Sequence, residues 1–129
     1  MKDEKQTENN RQTGNRKEDV ACWFLIKNGY RIRCRNYRCR QGEVDIIAQK
    51  EDYIVFVEVK YRKTNNCGYP SAAVNRLKQQ KISAVAKYYL YAEGFDEEQA
   101  IRFDVVEILG NKIRIIENAF NYREWKQRR

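Results

Sequence analysis

Chemistry in this chain has to be built without histidine, because none is present among its 129 residues. That removes Ser/His/Asp and Cys/His catalysis, histidine-based zinc sites and any histidine general base. What remains is carboxylates, Lys, Tyr and Cys. The most informative arrangement lies between Glu43 and Tyr61, where two apolar segments, Glu43 to Gln49 and Tyr53 to Tyr61, flank the polar Lys50, Glu51 and Asp52. This is the pattern of a β-hairpin. In the second segment Val55, Val57 and Val59 share one face, while Ile54, Phe56, Glu58 and Lys60 share the other, since strand side chains alternate with period two. A two-residue tip at Glu51 and Asp52 sets Lys50 against Tyr53, Ile47 against Phe56, Asp45 against Glu58 and Glu43 against Lys60. A three-residue tip would move Asp45 to the opposite face.

In the two-residue register the Cβ atoms of Asp45 and Glu58 stand about 4.5 to 5.5 Å apart, and like charges so placed destabilise a sheet. A positive group between them is required. Lys60 is one candidate, and a divalent cation is the other. Hard oxygen ligands suit Mg²⁺ or Mn²⁺, which keep several waters and bind through one or two carboxylates together with a substrate phosphate. Such an ion activates a water and stabilises charge developing on phosphate. Lys60 could position that water, act as its base, or stabilise the transition state. Against this stands the plain alternative that Glu58 and Lys60 mark an ordinary solvated strand end.

The elements that must hold these groups are legible in outline. Residues 1–13 contain no branched aliphatic or aromatic side chain and read as a disordered polar tail. Gly14 to Asn28 suits a helix that stops at Gly29, with Glu18, Ala21, Cys22 and Leu25 on one stripe. Glu18 therefore lies on the line that faces the core, or at its wet edge. Tyr30 to Asn36 reads as a strand. Pro70 to Tyr91 reads as a long helix beginning near Pro70 and Ser71 and ending before Gly94. Ile101 to Leu109, a turn at Gly110 and Asn111, and Lys112 to Ile116 form a second hairpin. The result is a single α/β domain over residues 14–121, followed by a basic tail over residues 122–129.

Lys and Arg number 26 against 18 Asp and Glu, giving a net charge of +8. That bias favours a polyanionic partner. Much of it sits in Arg31, Arg33, Arg35, Arg38 and Arg40, a run without an acid that reads either as a phosphate track or as charge protecting an edge strand. No apolar run approaches membrane-spanning length. The polar start lacks the apolar stretch of an export signal, so a cytoplasmic protein with reduced thiols is expected. Cys22, Cys34, Cys39 and Cys67 show no paired zinc spacing and read as buried or inert thiols.

With these residues in place, the sequence resembles the YraN family of small bacterial proteins, which is similar in turn to PD-(D/E)xK nucleases with a restriction-endonuclease or Holliday-junction-resolvase fold. The matching segments are Gly14 with Glu18 and Ala21, Asn36, Gly42-Glu43-Val44-Asp45, Val55-Phe56-Val57-Glu58-Val59-Lys60 with Arg62, Gly68 and Pro70, Lys78-Gln79 with Lys81, Arg102-Phe103-Asp104-Val105-Val106, and Ala119-Phe120-Asn121. Val44 stands where the nuclease motif has Pro. The resemblance implies a central mixed, mostly antiparallel β-sheet flanked by helices. It further implies that Asp45 and Glu58 are Mg²⁺ or Mn²⁺ ligands, that Lys60 is the motif lysine, that Glu18 is an added helix carboxylate completing the metal shell directly or through water, and that Lys78 faces phosphate. Hydrolysis of phosphodiesters in DNA, with Arg31, Arg33, Arg35, Arg38, Arg40, Arg62 and Lys78 gripping the backbone, is the expected activity. A nucleic-acid-binding module that keeps the fold without cutting is the rival, and a protein-interaction subunit is a third reading. Resolvase-like enzymes often act as dimers, so a homodimer is implied as well.

Overall fold

The computed structural model describes residues 16–62 and 74–124. The expected disordered start, Cys67, Gly68, Pro70 and the last residues of the basic tail lie outside the described residues. Helix α1 spans residues 16–27 and is followed by strands β1 (Arg31–Cys39), β2 (Gly42–Lys50) and β3 (Tyr53–Arg62), helix α2 (Arg76–Ala92), and strands β4 (Ile101–Leu109) and β5 (Lys112–Phe120). The five strands form one sheet in chain order. Every neighbouring pair is antiparallel except β3 and β4, which run parallel. A parallel step needs a crossover, and α2 lies in that connection. This is the α/β arrangement expected, and it is compatible with a restriction-endonuclease-like fold.

The sheet is apolar on both faces, which is why β3 is buried without interruption from Ile54 to Glu58. On one face Val44, Ile47, Phe56, Phe103 and Val105 pack against Ile82, Val85, Ala86 and Tyr89 of α2. Those helix positions repeat at three and four residues, as a single buried stripe requires. On the other face Ile46, Val55, Val57 and Val106 meet Ala21, Cys22 and Leu25 of α1. The layers are therefore helix, sheet, helix.

Local chemistry fixes the ends of these elements. Helix α1 closes with the Tyr30 N–H donating to the Leu25 carbonyl (3.0 Å) and the Gly29 N–H to that of Ile26 (3.1 Å). Gly29 adopts φ +90°, a value that side chains rarely permit. Helix α2 starts later than its sequence suggests. Val74 and Asn75 are not helical, and the Asn75 side chain accepts from the Lys78 N–H at 2.8 Å, so Asn75 rather than Ser71 is the cap. Strand β5 continues to Phe120 rather than stopping near Ile116. A register shift between Phe103 and Val105 and a left-handed Asn118 (φ 53°) absorb the irregularity.

A buried clasp ties the carboxyl end of α1 to β4 and β5. Asp104, fully buried, accepts from Tyr30 Oη (2.6 Å), from Arg102 Nε and Nη2 (both 2.9 Å) and from the Asn118 N–H (2.9 Å). Burial and the adjacent carboxylate together raise the Tyr30 hydroxyl well above its ordinary pKa. Two of the residues involved, Arg102 and Asp104, stand in the Arg-Phe-Asp segment that carries the family resemblance, and their contacts here are structural. Replacing Arg102 by Met should leave the Asp104 charge without its guanidinium and destabilise the fold by about 3–5 kcal/mol. Arg38→Ala, which removes a solvent-facing pair with Glu43, should cost less than about 1 kcal/mol. Urea unfolding of the two variants beside wild type measures both.

Candidate active site

The hairpin tip is the two-residue turn at Glu51 and Asp52, with Lys50 opposite Tyr53 and regular pairing down to Ile46 opposite Val57. Beyond that point β2 departs from strict alternation. Val44 and Ile47 pack under α2, whereas Ile46 packs under α1, and a regular two-residue repeat cannot place 44 and 46 on different faces. Asp45 stands at this slip. Its Oδ2 accepts from the Val59 N–H at 2.8 Å, so the carboxylate does for β3 what a ladder carbonyl would otherwise do.

Glu58 is buried on the face of β3 that meets α2. Its Oε2 lies 3.1 Å from Nζ of Lys78, whose side chain is 54% exposed against 7% for Glu58. Burial is the leading cause that lifts the Glu58 pKa, to about 7, and the Asp45 charge is the next; Lys78 opposes both. Asp45 is also raised, first by burial and then by Glu18, with the Val59 N–H and Lys78 pulling the other way. The buried Glu58 thus feels the charge of the half-buried Asp45, and Asp45 senses both helices through Glu18 and Lys78. The hard oxygen donors of this pair suit Mg²⁺ or Mn²⁺.

The lysine set against Glu58 is Lys78 of α2, a partner that strand alternation cannot reveal. Helical periodicity could have found it, because Lys78 precedes Ile82 by four residues and Val85 by seven on the buried stripe. Lys60 is half-buried two residues beyond Glu58 on the same side of the strand and pairs in the parallel ladder with Glu107. Glu107 is itself buried and bound through Oε2 by Arg114 at 2.7 Å.

Glu18 is near enough to raise Asp45, but its carboxylate is engaged by Asn36 Nδ2 at 2.8 Å and by Arg35 at 3.6 Å. Among the described residues, no three His, Cys, Asp or Glu side chains form a group that could hold one ion. The arginines divide between the faces. Arg33 Nε donates to Tyr89 Oη (2.8 Å) beside α2, and Arg35 pairs with Asp19 of α1 at 2.7 Å. Arg31 donates to Gln49 Oε1 (3.1 Å), Arg38 pairs with Glu43 (3.0 Å), and Arg40 and Arg62 are exposed. Glu43, expected opposite Lys60, instead turns to β1 through Arg38.

The raised Glu58 pKa has a definite sign in stability. A carboxyl that binds its proton more tightly in the folded than in the unfolded state makes the native protein bind more protons between the two pKa values. Stability should therefore fall as pH rises from about 4.5 to about 7, the Glu58 contribution being complete below that window. Thermal melts of wild type should show the fall, and Glu58→Gln should lose most of it. A Glu58→Gln profile parallel to wild type would contradict this assignment.

Comparison with known proteins places the chain. Residues 17–108 match the model described as "Uncharacterised protein family UPF0102". A UPF0102 protein of Lachnoclostridium phytofermentans is 47% identical, over 88% of this chain and 96% of its own length. Similar proteins from Fusobacterium nucleatum and Caldicellulosiruptor bescii are 44% and 46% identical, covering 85% and 87% of this chain and 92% and 99% of their own lengths. Agreement at this level across nearly the whole fold shows the family: the chain belongs to UPF0102, the YraN family.

Proposed function

We propose that this protein is a divalent-cation-dependent nuclease that hydrolyses phosphodiester bonds in DNA, with junctions, flaps and other branched forms as the first substrates to test. The observation that carries the reading is the buried Glu58 beside the half-buried Asp45: burial first, and the Asp45 charge second, raise Glu58 to about 7. A protein that merely binds DNA gains nothing from such a pair, since it repels phosphate unless a cation intervenes. The net charge of +8 supports a polyanionic partner.

Asp45 and Glu58 would hold Mg²⁺ or Mn²⁺, and the ion would supply an acidified water together with neutralisation of charge on the phosphate. Asp45 is pre-set for this by the Val59 N–H, which fixes one oxygen. Lys60, next along the face from Glu58, would orient the attacking water or stabilise the charge that develops. Glu18, tied to Asn36, would act through an intervening water rather than as a direct ligand. The exposed Arg40 and Arg62, with Arg31, Arg33, Arg35, Arg38 and Lys78 behind their present partners, would hold the backbone, so affinity should fall steeply with salt. The reading also places the protein in the cytoplasm, supported by free thiols at Cys22, Cys34 and Cys39. Among the described residues no helix is long and apolar enough to cross a membrane. A homodimer follows from the resolvase resemblance.

Labelled linear, flapped and four-way DNA, incubated with purified protein and Mg²⁺ or Mn²⁺, provides the test. Cleavage should require the ion, and Asp45→Asn or Lys60→Ala should abolish it while salt-sensitive binding survives. Wild type that binds these DNAs and cuts none with either ion would establish the non-catalytic binding module instead.

A further inference from the structure

Lys78 has an environment that helix formation alone does not explain. It occupies the third position of α2, after Arg76 at the first, and the first turn carries no acid. A cation at the positive end of a helix dipole is locally unfavourable. The N–H groups there do not call for it either, since Asn75 already caps the Lys78 N–H. The compensation comes from across the layer boundary, where the ammonium reaches Glu58 Oε2 at 3.1 Å while most of the side chain stays wet. The arrangement is that of a charge lying at the mouth of a buried acidic pair.

Charge arithmetic makes this placement provisional. When both acids are ionised, one ammonium offsets half of the two negative charges of Asp45 and Glu58, whereas a divalent ion offsets both. The ion would bind the same Glu58 carboxylate that Lys78 now contacts through Oε2. Two cations so close together repel strongly. Lysine suits a temporary role, being a point charge on a flexible stem without the two-pronged geometry that locks arginine to a carboxylate. We propose that Lys78 is an internal counter-ion that an incoming divalent cation displaces, and that the displaced ammonium becomes the phosphate contact at the start of α2. This rests on the metal-centre reading above and adds an order of events to it: with no ion, Lys78 steadies the acids; with the ion in place, it is released toward substrate.

The test compares wild type with Lys78→Met, an exposed substitution that keeps the aliphatic stem. Binding of Mn²⁺ followed by electron paramagnetic resonance, and of Mg²⁺ by calorimetry, is measured without nucleic acid. The variant should bind either ion at least about tenfold more tightly. In wild type the ¹⁵N-detected ammonium resonance of Lys78, assigned by its absence from the variant, should shift to that of a freely exchanging lysine when Mg²⁺ saturates. With DNA, Lys78→Met should reduce the salt dependence of binding by about one phosphate contact when Ca²⁺ is present and leave it unchanged without the ion. Unaltered or weaker ion binding in the variant, an unmoved resonance, or the same salt effect with and without the ion overturns the exchange and leaves the metal centre standing. If neither protein binds either ion, the metal centre falls as well.

Discussion

The site depends on keeping the Glu58 carboxylate where water is scarce, with the Asp45 charge near enough to raise its pKa further. A strand as deeply buried as β3 would normally stay apolar to its end, yet it carries Glu58 among Phe56, Val57 and Val59. Each neighbouring feature lessens that cost. A backbone N–H is directed at Asp45, an ammonium is brought over from α2, and the proton affinity of Glu58 rises until its charge is half lost near neutrality. The contrast with Asp104 is instructive. Asp104 is buried more completely and is nevertheless satisfied by four donors, two of them on the Arg102 guanidinium. One acid is sealed into the architecture; Glu58 instead meets an ammonium whose side chain is largely exposed to solvent.

The hairpin register was legible because a period-two pattern is local and its turn is short. Lys50 meets Tyr53 and Ile47 meets Phe56 as the alternation dictates. The slip between Val44 and Ile47 was not legible, since Gly-Glu-Val-Asp reads as a regular strand start and its irregularity depends on which side chains the two helices accept. The start of α2 was misjudged for a related reason. Pro70 and Ser71 are good initiators in isolation, but so is Asn75, and it is Asn75 that caps the helix. The extension of β5 to Phe120 depends on Asp104 accepting the Asn118 N–H, a contact fourteen positions away in sequence.

The arginine-rich stretch shows the limit of counting charge. Five guanidinium groups in ten residues suggest one continuous surface, but a shift in the pairing of β1 with β2 between Ile32 and Cys34 helps send Arg33 toward α2 and Arg35 toward α1. Their present partners are acids, an amide and a phenol of the same chain. Any polyanion that takes hold of them has to compete with these contacts, so net charge overstates what is immediately available.

The helix, sheet, helix stacking has one further effect. Asp45, Glu58, Lys78 and Glu18 come from β2, β3, α2 and α1, and their neighbourhood exists only when both outer layers are docked. A nascent or partly unravelled chain carrying the bare hairpin holds two repelling acids and neither of the helix residues that surround them. The centre is thus a property of the completed assembly, and its integrity serves as a built-in check that the whole domain has closed.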